Sequence, residues 1–215
     1  MQIDVVSDVV CPWCFVGKRR LDAALAGWRQ ARPREAPPRV RWLPYFLNPD
    51  TPAEGEPYRP FLERKFGGAA AVEAVWERVR EAGAGAGIAF AFERIEKRAN
   101  TLAAHRLIHR FQAEGVGDVQ ALVEGLFAAQ FEQGRDVGDP AVLAEVAAAA
   151  GDDYARAASF LAGERYAEEV LAGAAQAQAM GIGGVPFFIF AGRLGVSGAH
   201  PPETLIEAMS QAASA

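Results

Sequence analysis

The amino-acid sequence predicts an α/β fold interrupted by an all-helical insertion, on three observations. Strand-like and helix-like runs alternate over residues 1–57, helical patterns alone run from about residue 58 to residue 180, and strand character then returns before a last helix. The expected division is an α/β part, 1–57 with 165–215, and a helical insertion, 58–164.

Each element has its own justification. Residues 3–10 are rich in β-branched side chains and read as a first strand. After Cys11-Pro12-Trp13-Cys14, the residues Leu21, Leu25 and Trp28 recur at helical spacing. Pro12 suits the first helical position, where its missing N–H would have had no intrahelical partner. Pro33, Pro37 and Pro38 mark a loop. Residues 39–47 read as a second strand, which Pro44 demotes locally to an edge or bulge. Strand, helix and strand in this order predict a parallel βαβ unit.

Val72, Val75, Trp76 and Val79 predict a helix over 70–82, broken by the glycines at 83, 85 and 87. Those glycines lack dinucleotide-loop spacing and open no helix after a strand, so they form a plain loop. Asn100 is the expected N-cap of a helix over 101–111. Further helices are expected over 119–133, 140–150 (opened by Asp139-Pro140), 156–161 and 165–180. Residues 183–190 read as a strand, Ala191-Gly192-Arg193 as a turn and 194–197 as a short partner strand. Pro201-Pro202-Glu203 opens the final helix.

Composition excludes several functions. A hydrophobic share of 51% supports a packed core, and a net charge of −5 argues against a nucleic-acid partner held by phosphate contacts. No run of about 18 apolar residues is present to span a membrane. Met1-Gln2 supplies no positive n-region, and Asp4 and Asp8 interrupt the early apolar stretch, so no signal peptide is expected. The expected location is cytoplasmic, where a lone cysteine pair is catalytic or redox-sensing rather than structural. Lys18-Arg19-Arg20 reads as a solvated face, the alternative being a local positive potential beside the cysteines. Oligomeric state is left open.

The two cysteines sit where a strand hands over to a helix. Cys11 faces the unpaired N–H groups and positive dipole end of that helix, which favour a thiolate, the attacking species. Cys14 lies one turn further in, within reach of a disulfide with Cys11. The chemistry this favours is thiol–disulfide exchange. Cys-x-x-Cys is also half of many zinc sites, with His105, His109 and His200 the only histidines to complete one. Pro12-Trp13 and a helix starting inside the motif do not suit a zinc knuckle, and no metal is expected.

Taken together, several stretches resemble a known family. Cys11–Lys18, Leu47-Asn48-Pro49, Asn100-Thr101 with Ala104-His105-Arg106-Leu107, residues 134–140, Gly184–Phe188 and Val196–Ala199 are similar to the DsbA-like thioredoxin-fold oxidoreductases, and more narrowly to their FrnE-like cytoplasmic group. The resemblance spans essentially the whole chain. It implies a thioredoxin-like fold with an all-helical insertion domain. It also implies Cys11 as nucleophile, Cys14 as resolving thiol and a cis peptide before Pro186 that turns the backbone of Val185 toward substrate. Pro12, Trp13, Val185, Phe187 and His105 are the implied substrate-binding residues, with a hydrogen-bonded histidine between the two parts of the chain an equal alternative for His105. His200 stands where this group is expected to have glutamine, and a simple loop role is the plainer reading of it.

Trp13 carries no charge to stabilise a thiolate, so the pair is expected to be a modest oxidant, reduced in a cytosol poised at about −220 to −320 mV. The implied activity is disulfide reduction or isomerisation. Disulfide-containing proteins or low-molecular-weight thiols are the implied partners. No resident cofactor is expected, with glutathione a candidate co-substrate. The alternative comes from relatives of the same architecture, the 2-hydroxychromene-2-carboxylate isomerases and kappa-class glutathione transferases. These generally carry serine where this chain has Cys11. A non-enzymatic alternative is a zinc-stabilised or chaperone-like module holding clients in an apolar cleft of Trp13, Phe15 and Phe187.

Overall fold

The structure, a computed structural model, describes residues 1–214. In chain order its elements are β1 (Gln2–Ser7), α1 (Pro12–Ala31), β2 (Arg39–Pro44), β3 (Glu56–Pro57), α2 (Tyr58–Phe66) and α3 (Ala69–Ala84). After a short 3₁₀ turn (Phe92–Arg94) come β4 (Lys97–Arg98), α4 (Leu102–Glu114), α5 (Val119–Phe131), α6 (Pro140–Ala149), α7 (Tyr154–Leu161) and α8 (Ala167–Ala179). The chain closes with β5 (Phe187–Phe190), β6 (Leu194–Ser197) and α9 (Pro202–Ser214).

Four strands make one sheet in the order β2-β1-β5-β6. β1 and β2 are parallel, joined through α1 as a βαβ unit, with Val5 opposite Trp42. β5 runs antiparallel to β1 and β6 antiparallel to β5. β2 lies at the sheet edge, which is why Pro44 is tolerated there. Its exposed backbone is capped by α4: the Trp42 N–H donates to Gln112 Oε1 (2.7 Å) and Gln112 Nε2 donates to the Trp42 carbonyl (3.0 Å). A side-chain amide thus takes the place of a further strand.

Alternation along β5 sends Phe188 and Phe190 into the core beside α1 and α9, and Phe187 and Ile189 to the face covered by α8. The helical insertion packs onto the same core. Phe15 of α1 stacks on Phe127 of α5 (5.2 Å between centroids) and meets Phe90 edge-on (6.0 Å). Each such ring, fully buried, contributes about 1.5–3 kcal/mol.

The structure departs from the sequence expectations at several points. β1 stops at Ser7 rather than residue 10, because Asp8 turns the chain: its carbonyl accepts the Cys11 N–H (3.0 Å) and its Oδ2 accepts the Leu47 N–H (2.8 Å). Thr101, not Asn100, is the N-cap of α4. Asn100 Oδ1 still accepts the Leu102 N–H (3.0 Å), while its Nδ2 donates to the Thr51 carbonyl (2.9 Å). The β3–β4 pair is two residues long on each side, too short to leave an alternating pattern. Lys18-Arg19-Arg20 is not a solvated face. Lys18 is buried between Asp22 (2.8 Å) and Glu124 (2.7 Å), Arg19 pairs with Glu124 (2.6 Å), and Arg20 holds the Ala199 carbonyl.

Candidate active site

Cys11 is the N-cap of α1, with extended dihedrals (φ −97°, ψ 110°) and Pro12 at the first helical position. Its carbonyl accepts the first helical bonds, from Cys14 N (3.0 Å) and Phe15 N (3.4 Å). Both cysteines are free thiols and nearly inaccessible, at 4% and 1% exposure. The Cys11 thiol donates to the Val185 carbonyl at 3.6 Å, across 174 residues of sequence. Val185–Pro186 is a cis peptide bond. Gly17 makes this approach possible, since a Cβ there would sit 2.9 Å from Pro186 Cγ and 3.2 Å from Phe188 Cζ.

The two thiols differ in environment. Burial first, then the hydrogen bond to Cys11 and its negative charge, push the Cys14 thiol well above its ordinary value. The Ser7 hydroxyl and the Asp8 backbone oppose that shift. Cys14 is therefore held protonated. On this inner side lies a buried pair, His105 Nε2 and Asp8 Oδ1 at 3.3 Å, with Phe46 edge-on to the imidazole at 5.3 Å.

On the outer side Cys11 opens into a groove of about 340 Å³. One wall is Cys11, Pro12, Trp13 and Val185; the other, from the helical insertion, includes Tyr58, Trp76, Arg98 and Gln130. Burial, and after it the charge of Cys11, hold the Tyr58 hydroxyl well above its ordinary value. The Tyr58 hydroxyl thus stays protonated in the groove that Cys11 lines.

Of the residues expected at the site, Cys11, Cys14, Pro12, Trp13, Val185 and Pro186 come together as described. Three do not join the groove. Phe187 lies over Gly195, where a Cβ would come within 2.7 Å of its Cζ, on the sheet face under α8. Phe15 is fully buried against Phe127 and lines no cleft. His105 is 5% exposed, holds Asp8, and lines a separate water-sized cavity of about 20 Å³ with Ser7 and Trp42. His200 is exposed and bonds the Ser197 carbonyl (2.8 Å), a loop role. Among the described residues no group of three or more His, Cys, Asp or Glu is placed to hold a metal ion.

Sequence reasoning missed Asp8, Tyr58, Arg98 and Gln130. Gln130 left a signal: it extends the buried stripe of Val123 and Phe127, a polar amide where the helical pattern calls for an apolar residue. Tyr58 and Arg98 left none, since each is brought in from a separate segment.

The model of the DSBA-like thioredoxin domain matches residues 2–210. The chain belongs to that family. The crystal structure of a probable DsbA oxidoreductase from Streptomyces coelicolor is 31% identical, with a TM-score of 0.87 over 100% of this chain and 90% of that one. A 2-hydroxychromene-2-carboxylate isomerase shares the fold at 18% identity, with a TM-score of 0.69 over 98% of this chain and 95% of its own. So does the cytosolic disulfide reductase DsbM from Pseudomonas aeruginosa, solved with GSH, at 17% identity and a TM-score of 0.63 over 100% and 96%. No match was found among curated proteins. In this DSBA-like chain the sheet and α1 supply the sulfurs and Pro186, and the helical insertion supplies the far wall of the groove.

Proposed function

We propose that this DSBA-like chain is a thiol–disulfide oxidoreductase of the reductase or isomerase type, working through Cys11 and Cys14. We place it in the FrnE-like group and in the cytoplasm, acting on protein disulfides or low-molecular-weight disulfides. The observation that carries the reading is the unequal pair of free sulfurs at the start of α1. Cys11 touches the Val185 carbonyl at the mouth of the groove, and Cys14 is held protonated behind it. The absence of any cysteine outside the motif and the cytosolic DsbM neighbour support the location.

The inequality suits the reaction. The Cys11 thiolate attacks one sulfur of a substrate disulfide; a Cys11–substrate disulfide forms and the other substrate sulfur leaves as a thiolate. Cys11 is then uncharged, so two of the three causes raising Cys14 are gone, while Ser7 and Asp8 still favour its ionised form. Cys14 attacks Cys11, its proton goes to the second departing thiolate, and the protein holds the disulfide. Two electrons have passed to the substrate.

An insulin-reduction assay tests the reading. The wild type should reduce insulin with a thiol donor, and Cys11→Ser should not. Equal turnover by the two proteins rules it out. A second reading, a glutathione-dependent isomerase or transferase for small aromatic substrates, draws on the groove beside Cys11 and on the isomerase that shares the fold. Glutathione-dependent turnover that survives Cys11→Ser would favour it.

A further inference from the structure

The groove has a charge and a polarity that disulfide exchange alone does not require. Lys65, Arg78 and Arg98 line it, and among the described residues no acidic side chain does, in a protein of net charge −5. Arg98 is 3% exposed, with its guanidinium 3.9 Å over the Phe61 ring. Its Nη2 reaches Glu56 at 2.6 Å and Asp50 at 3.6 Å, yet Nε and Nη1 have no acceptor. Gln130, 1% exposed, leaves its amide oxygen without a donor. Buried polar groups without partners cost about 1–3 kcal/mol each and are few in native proteins. Trp76, which also lines the groove, has an indole N–H without an acceptor. Three such side chains in one groove mark a place where a ligand supplies the missing partners.

We propose that the groove binds a small organic carboxylate with an apolar, ring-sized body. Arg98 takes the carboxylate, the body lies among Phe61, Trp76 and Phe92, and Gln130 accepts a hydrogen bond from a hydroxyl or N–H on the ligand. The rings of Phe61, Trp76 and Phe92 suit a compact apolar body. A volume of about 340 Å³ falls within the range of small-molecule sites. The inference rests on the proposed exchange reaction only in naming its low-molecular-weight substrates: disulfides or thiols that carry such a carboxylate.

The test compares naphthoate with its uncharged amide on the reduced wild type. Binding is followed by quenching of tryptophan fluorescence, since Trp13 and Trp76 line the groove. Naphthoate should saturate and bind at least about tenfold tighter than naphthamide, as a charge-assisted contact predicts, and Arg98→Met should abolish the preference. Equal affinities, no saturation, or a folded Arg98→Met protein that keeps the preference overturns the proposal. Should that variant fail to fold, the two wild-type titrations decide. Neither ligand contains sulfur. A protein that binds naphthoate yet fails with insulin therefore overturns only the exchange reaction, and one that exchanges disulfides but binds both ligands alike overturns only this inference.

Discussion

The two sides of the cysteine pair are built on opposite principles. Toward the sheet, Cys14 meets Ser7 and Asp8, and both Asp8 carboxylate oxygens are used, one by His105 and one by the Leu47 N–H. Toward the helical insertion, Cys11 opens on a groove whose buried Arg98 and Gln130 keep unused polar atoms. Fully partnered buried groups hold one arrangement; partly partnered ones leave free energy to be recovered on binding. The inner side fixes the sulfurs, and the outer side receives what reacts with them.

The largest expected effect separates the two sulfurs themselves. Cys11→Ser should lower disulfide exchange by about a thousandfold or more, since the attacking atom is gone. Cys14→Ser should instead keep the first step and stall at the second, accumulating a mixed disulfide with substrate that mass spectrometry detects. If both variants lost the first step equally, the division of labour between the two environments would be wrong.

Next in size is the inner side. His105→Ala takes a partner from the buried Asp8 carboxylate and leaves a void beside Phe46. A loss of about 3 kcal/mol is expected from an unpaired buried group and a cavity together. Urea unfolding reads it as a lower midpoint at constant slope. A change under about 0.5 kcal/mol would mean that water reaches Asp8 and that the inner side is not closed.

The third effect is a pH dependence confined to the reduced protein. The folded chain holds Cys14 protonated above the ordinary thiol value of about 8.5, whereas the unfolded chain ionises it there. Above that pH the folded state binds more protons, so stability falls as pH rises, by at most about 1.4 kcal/mol per pH unit. The contribution is complete below the unfolded value and is lost between it and the raised folded value. Cys14→Ala should flatten the curve between pH 8.5 and 10. Tyr58, also raised, adds the same sign only as pH passes its own ordinary value of about 10. A slope unchanged in Cys14→Ala would place the titration elsewhere.

How much of this was legible in the sequence follows the range of the interactions. The strand-to-helix junction at Cys11, the edge character of Pro44 and the caps at Asp139 and Pro140 depend on neighbours within a few residues, and the structure has them where the sequence puts them. Phe187 was misplaced because its side is fixed by the register of β5 against β1, with Val6 opposite Phe187, not by its being next to Pro186. Of the two readings of His105 the structure has the hydrogen-bonded one, and its partner Asp8 reads in the sequence only as a break in an apolar run. The groove was out of reach for the same reason: Tyr58, Trp76, Arg98 and Gln130 come from α2, α3, β4 and α5. No local pattern links them.

The smallest effect gives the sharpest contrast with the inner side. Gln130 is as buried as Asp8, each 1% exposed, but its amide oxygen is unpartnered. Replacing an unpaired polar group by an apolar one of similar length removes a desolvation penalty and breaks no hydrogen bond to that oxygen. Gln130→Met should therefore stabilise the unliganded protein, by about 1 kcal/mol, as a higher urea midpoint at constant slope. The same variant should bind naphthoate derivatives carrying a hydroxyl less tightly, since their donor loses its acceptor. A substitution that raises stability while weakening binding is what a group kept for a ligand produces. If Gln130→Met instead destabilised the protein as His105→Ala is expected to, the amide would be a structural partner, and the two sides of the cysteine pair would be alike.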